Sequence, residues 1–170
     1  ALPICTYVMS SKDLCLIKDI PEIMDLGVTS LKIEGRLKSE YYVASVVNAY
    51  RNAIDDYIKD PDHYDYTKYL KELNKVKTRD LTTFFFDDKN NKDFQEFSGK
   101  QYNPDYEFGG EVQEYNDDKS IIKIGNKLTV GDKMEILVPN KIEPQEFVID
   151  KLWDSETDEE IDHVNPGRFG

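Results

Sequence analysis

Between Tyr42 and Ile58 the side chains Tyr42, Val43, Val46, Val47, Tyr50, Ala53, Ile54, Tyr57 and Ile58 recur at intervals of three and four residues. That period belongs to an α-helix and predicts about five turns with one broad apolar stripe. Ser39 stands just ahead as a good N-cap. Asp60-Pro61-Asp62 ends the helix, because the residue before proline is pushed out of the helical region. A second amphipathic run from Thr67 to Val76 places Tyr69, Leu70, Leu73 and Val76 together. Both helices need a partner surface.

Upstream, Val28-Thr-Ser-Leu-Lys-Ile33 is rich in β-branched residues and reads as a strand ending at the Glu34-Gly35-Arg36 turn. Before it, Asp19-Ile20-Pro21-Glu22 opens a short helix with proline in the first turn, Ile20, Ile23, Met24 and Leu26 as its apolar face and Gly27 as its C-terminal cap. Strand, glycine turn and helix form a βα unit. One parallel strand with its helices cannot satisfy its own edges, so this region is expected to be the closing part of a larger α/β domain and the chain a C-terminal fragment. After Arg79 the texture changes. Loop chemistry at Asp87–Asp93 and Asn103-Pro104-Asp105 gives way to short strands at Phe108–Val112, Ser120–Ile124, Lys133–Val138 and Phe147–Leu152. Their spacing suggests a small antiparallel barrel or sandwich. The expected class is α+β. The expected divisions are 1–80 for the α/β portion and its following helices, 81–105 for a linker or crossing segment, and 106–170 for the small β domain.

Charge is distributed unevenly. Of a net −12 over 170 residues, residues 1–60 hold −2 (7 basic, 9 acidic) and residues 61–170 hold −10 (15 basic, 25 acidic). An acidic surface repels phosphate backbones, so the downstream region is poorly suited to general electrostatic binding of nucleic acid. Apolar runs such as Phe84–Phe86 and Ile136–Val138 are far shorter than the ~20 residues that cross a bilayer, and the opening Ala-Leu-Pro-Ile-Cys-Thr-Tyr does not resemble a secretory leader. No membrane association is expected. Only Cys5 and Cys15 occur, too few for a disulfide scaffold, which points to a reducing compartment and a cytoplasmic protein.

Lys32, Glu34 and Arg36 fall at and just after the C-terminal end of the predicted strand, the edge where α/β folds place ligands and catalysis. Glu34 between two cations would stay ionised and orient a substrate, and Arg36 would clamp a carboxylate or phosphate; a purely structural ion-pair network is the alternative. Cys15 is open to three readings: nucleophile, iron–sulfur ligand or inert buried thiol. Cys5, ten residues earlier, makes no C-x-x-C unit with it. His63 and His163 form no catalytic spacing with a Ser or Cys and read as surface residues, and the aromatics from Tyr57 to Tyr69 read as packing.

Three segments carry a family resemblance. Ser10-Ser11-Lys12-Asp13-Leu14-Cys15-Leu16-Ile17, Ser30-Leu31-Lys32-Ile33-Glu34-Gly35-Arg36-Leu37-Lys38-Ser39 and Tyr41-Tyr42-Val43-Ala44 resemble peptidase family U32, whose signature runs close to "NSKDLCL … FKIEGRMKS-x-YYVA". Arg79-Asp-Leu-Thr-Thr83-Phe84-Phe85 is similar to a later segment, "R-x-x-TTGFF", without its glycine. Residues from Phe108 to Asp132 resemble the family's C-terminal barrel, itself similar to domain 2 of translation elongation factors. The resemblance implies that 1–80 closes a (β/α)-barrel catalytic domain and that 106–170 is a small antiparallel β-barrel. It implies an enzyme that hydroxylates RNA, at the tRNA wobble uridine, or else a collagenase-like peptidase acting on protein, with the barrel as an RNA- or protein-binding module in a further reading. It also implies a four-iron, four-sulfur (4Fe-4S) cluster in the full-length protein with Cys15 as a ligand, and none in this fragment alone. The fragment by itself is expected to be inactive, and an uncovered barrel edge would favour a homodimer.

Overall fold

The computed structural model describes residues 11–76, 79–86, 94–95, 105–115 and 119–167. The chain divides into two compact units: residues 1–105 with 139–142, and residues 106–138 with 143–170. Helix and sheet are both present, and the helices lie in the first unit.

In the first unit, strand β1 (Asp13–Leu14) leads through a 3-10 turn at Ile17–Asp19 into helix α1 (Ile20–Asp25). Pro21 sits in the first turn of α1, where its missing N–H removes no helical bond, and Gly27 follows the helix at φ 74, in the left-handed region. Helix α2 (Glu40–Lys59) starts as its sequence requires: the Ser39 hydroxyl accepts the Tyr42 N–H at 3.1 Å. It stops at Asp60, ahead of the 3-10 turn Pro61–His63, and helix α3 (Thr67–Val76) follows. Strand β2 (Leu81–Thr82) then pairs parallel with β1.

Val46, Ala49 and Ala53 of α2, Tyr69, Leu73 and Val76 of α3, and Ile17 and Ile20 form one buried cluster. Ala49, Ala53, Tyr69 and Ile20 are 0% exposed. Val47 and Ile58, expected on the buried stripe, are exposed instead. At about 100° per residue the face centred on Val46, Ala49 and Ala53 turns both of them away and brings in Ser45, while Asn48, well off that face, is buried where it meets Asn140 and Lys141. Asn48 is buried at little cost because its amide is used: Nδ2 donates to the Lys141 carbonyl at 2.8 Å and Oδ1 accepts the Asn140 N–H at 3.0 Å.

Tyr64 packs edge-on to Tyr57 and stacked on Tyr69, and its hydroxyl donates to the Ile17 carbonyl at 2.5 Å. Tyr57, Tyr64 and Tyr69 are packing, as their sequence suggested, while Tyr66 is exposed. His63 is exposed and faces the Asp60 carboxylate; His163 is exposed on a strand of the second unit.

One expectation needs correction and another is met only in part. Val28–Ile33 is not a strand: it has no regular secondary structure and is mostly exposed, and among the described residues no strand pairs with it. A parallel barrel strand exists only through hydrogen bonds to strands on both sides, and no described strand lies beside this one. Parallel pairing occurs between β1 and β2, where the sequence offered no periodic signal. In the second unit the described residues form small antiparallel sheets, and the expected barrel closure is not seen among them. Strands β3 (Gly110–Tyr115) and β4 (Ser120–Ile124), β6 (Lys133–Ile136) and β7 (Gln145–Val148), and β8 (Leu152–Trp153) and β9 (Glu160–Ile161) pair as antiparallel hairpins. Strand β5 (Leu128–Thr129) pairs with β10 (His163–Val164). Among the described residues each sheet has two strands and none closes. Their shared core is Ile124, Leu128, Ile149, Leu152 and Val164.

Asp56 joins the two long helices, accepting from Lys68 Nζ at 2.6 Å and from the Tyr69 hydroxyl at 2.5 Å, and those hydrogen bonds hold its carboxyl below the usual range. The unfolded chain therefore binds the Asp56 proton more tightly than the folded one. The stabilisation is complete above the unfolded value of about 3.9 and is lost as pH falls through the lower folded value. Urea titrations of wild type and Asp56→Asn between pH 6 and pH 2 are expected to converge as pH falls below about 4. A pH-independent gap between the two would contradict this role.

Candidate functional site: the Cys15 loop

The parallel ladder sets the position of Cys15. Asp13 N–H donates to the Asp80 carbonyl and Cys15 N–H to the Thr82 carbonyl, each at 2.9 Å, while Arg79 donates to the Ser11 carbonyl at 3.0 Å. Helix α2 then approaches from the side. The Tyr50 hydroxyl accepts the Leu16 N–H at 3.0 Å and donates toward Cys15 Sγ at 3.9 Å. The turn before α2 closes the third side: Lys38 Nζ lies 3.3 Å from Asp13 Oδ2 and 4.7 Å from the centre of the Tyr42 ring. Gly35 in this turn lies so close to α2 that a Cβ there would meet Val43 Cγ2 at 2.7 Å. A small cavity of about 40 Å³ results, lined among others by Asp13, Cys15, Tyr42 and Tyr50. That is room for a few waters, well below a substrate pocket.

Burial pushes the Cys15 thiol up, with Asp19 adding to the shift, while hydrogen bonds from the Ile17 backbone and Tyr50 oppose it. Burial likewise raises Tyr50 and Tyr42. At neutral pH the loop presents a neutral thiol beside two phenols and one carboxylate paired to lysine. A neutral thiol is a weak nucleophile. The neighbours just named include no imidazole to activate it.

Lys32, Glu34 and Arg36 are all exposed, flanking the half-buried Ile33 that anchors their segment on the core. Glu34 Oε1 accepts the Arg36 N–H at 2.7 Å, so this carboxylate shapes the turn that presents Arg36. Among the described residues the Lys32 and Arg36 side chains have no ion-pair partner, and the ion-pair network offered as the structural alternative does not form there. Asp13, Lys38, Tyr42 and Tyr50 were not singled out by sequence reasoning. Asp13, Lys38 and Tyr42 lay inside the motif segments and Tyr50 on the apolar stripe of the helix, and the fold brings them together around Cys15.

Cys15 is the free cysteine of the described residues, and Cys5 lies outside them. A 4Fe-4S cluster takes four thiolates, the sequence has two cysteines, and no group of three or more His, Cys, Asp or Glu among the described residues could hold a metal. These residues alone do not fit a cluster.

A mixed helix-and-sheet chain with a tyrosine-pinned cysteine loop and an exposed Lys/Glu/Arg segment defines a class that can be compared with known proteins. The model of peptidase family U32 matches residues 4–96, and that of the peptidase family U32 C-terminal domain matches residues 104–169. The chain belongs to peptidase family U32. It is 38% identical over 156 residues to tRNA hydroxylation protein P1 of Bacillus subtilis, covering 90% of this chain and 37% of that protein. It is 37% identical over 136 residues to tRNA hydroxylation protein P of Escherichia coli, covering 79% and 30%. It is also 40% identical over 133 residues to an uncharacterized protease of Methanocaldococcus jannaschii, covering 76% and 29%. The chain thus spans about a third of the length of these relatives. No solved structure matches. Among the described residues no helix is long and apolar enough to cross a membrane.

Tyr50→Phe should leave the Leu16 N–H without its partner and cost about 1–3 kcal/mol of stability, measured by urea denaturation. In the wild type, iodoacetamide should modify Cys15 more slowly than a cysteine in an unstructured peptide at pH 8, with peptide mapping separating it from Cys5. Equal rates would show that the thiol is not held as described.

Proposed function

We propose that these residues serve as part of a cytoplasmic U32-family enzyme that hydroxylates the wobble uridine of tRNA. The observation that carries this reading is the 38% identity to tRNA hydroxylation protein P1 over 90% of the chain. In this reading Arg36 clamps an anionic group of the substrate, a phosphate or a carboxylate, through its planar fork. Lys32 adds positive charge on the same segment. Glu34 acts as a positioning residue by holding the Arg36 backbone. Cys15, as a cluster ligand, would belong to the longer protein, with its remaining ligands supplied from outside these residues.

The second reading, peptidase action, rests on the protease name of the Methanocaldococcus jannaschii relative. The raised Cys15 thiol, partnered by a tyrosine, lends it no support.

The test uses the complete gene in cells lacking their own copy, with tRNA digested to nucleosides and weighed by mass spectrometry. Wild type should restore a uridine carrying one added oxygen. Arg36→Ala should lower it by roughly tenfold or more, equivalent to about 1.4 kcal/mol of lost interaction. Because Arg36 is exposed, its loss should change stability by no more than about 0.5 kcal/mol. Full modification by Arg36→Ala would remove that residue's role. No gene-dependent hydroxylation, together with cleavage of denatured collagen by the purified protein, would favour the peptidase reading.

A further inference from the structure

Most of the chain's net negative charge lies in the second unit. Residues 106–138 and 143–170 carry 16 acidic and 6 basic side chains, a net of −10, against 18 and 16 in the first unit, a net of −2. A surface this acidic repels a phosphate backbone and attracts cationic partners.

The β3–β4 hairpin combines this charge with an uncovered apolar row. Ile124 is buried and Ile122 packs on the core, while Val112, opposite Ile122, is already exposed. Farther out, Tyr115 pairs with Ser120 and is 78% exposed. The irregularity between Val112 and Glu114 leaves Gln113 as an extra residue in β3. It therefore keeps Val112 and Tyr115 on one face, since their partners Ile122 and Ser120 are two residues apart. Glu111 and Glu114 take the other face. Every residue of β3 from Glu111 to Tyr115 is exposed, and among the described strands β3 pairs with β4 alone. An open strand edge of this kind is a template for another strand.

We propose that β3 is a docking strand for an extended, lysine- or arginine-rich segment of a partner protein. Side chains of an incoming strand alternate between faces. Its apolar residues would extend the Val112 and Tyr115 row, and its cationic residues would lie beside Glu111 and Glu114. The net −10 of the unit would speed encounter with such a partner and turn away acidic ones. RNA offers neither the alternation nor the charge. This inference is independent of the tRNA reading, which concerns the first unit.

Fluorescence anisotropy of the full chain tests it with four labelled probes at one salt concentration: a ten-residue alternating Lys–Val peptide, its Lys–Ser and Glu–Val counterparts, and a single-stranded RNA of ten nucleotides. The Lys–Val peptide should bind at least about tenfold more tightly than the other three, and Val112→Ser and Glu114→Lys should each weaken it by about tenfold. Circular dichroism checks folding. If Val112→Ser unfolds the unit, the exposed Glu114→Lys variant decides. Equal binding of Lys–Val and Lys–Ser peptides would reduce the surface to diffuse charge and overturn the proposal. Binding of the RNA as tight as that of the Lys–Val peptide, or no loss in Glu114→Lys, would overturn it as well.

Discussion

Helix α2 is the constraint on which the first unit depends. Its face of Val46, Ala49 and Ala53 is buried in one cluster with α3 and with Ile17 and Ile20 just after the cysteine loop. The two alanines carry almost no side chain, which lets neighbouring elements approach closely. Once α2 is seated, Tyr50 one residue beyond Ala49 reaches the Leu16 backbone and Cys15. The Lys38 turn ahead of the helix comes to lie over Asp13 and Tyr42. The cysteine loop is therefore a consequence of helix packing together with a parallel ladder of two residues per strand. Such a short ladder could not hold the loop without the helix beside it.

This arrangement explains why the family motifs are spread over seventy residues of sequence. Asp13 and Cys15 come from one segment, Lys38 from a second, Tyr42 from a third, and the Asp80 and Thr82 carbonyls from the last. Asp13, Cys15, Tyr42 and Leu81 of these segments line the same small cavity, and Lys38 pairs with Asp13 beside it. The exposed Lys32 and Arg36 stand on the segment that leads into it. The second unit has a different character, with a smaller core, small antiparallel hairpins and most of the net negative charge.

Elements with strong local signals were legible in the sequence. The Ser39 cap, the stop before Pro61, the limits of α3 and the turn at Gly27 all appear where their chemistry puts them. What was not legible is non-local. Val28–Ile33 has the composition of a strand, but strands are defined by neighbours, and none of the described residues supplies one. Strand β1 is too short to show a period, and its pairing with β2 joins residues nearly seventy positions apart. Asn48 and Ser45 gave no apolar signal, although the helix buries both. Around Cys15 the motif segments were visible, but their convergence required α2 to be in place.

Residue-resolved amide hydrogen exchange on the full chain tests most directly whether α2 packing holds the cysteine loop. The Cys15 and Leu16 amides should be protected to a degree comparable with the buried turns of α2 and should lose that protection in Tyr50→Phe. Among the Val28–Leu31 amides, those of Thr29, Ser30 and Leu31 should exchange quickly in both proteins, whereas the Val28 N–H donates to the Ile23 carbonyl. If Cys15 and Leu16 exchange as fast as Thr29, Ser30 and Leu31 in the wild type, the loop is not held by the helix and the account of the site fails.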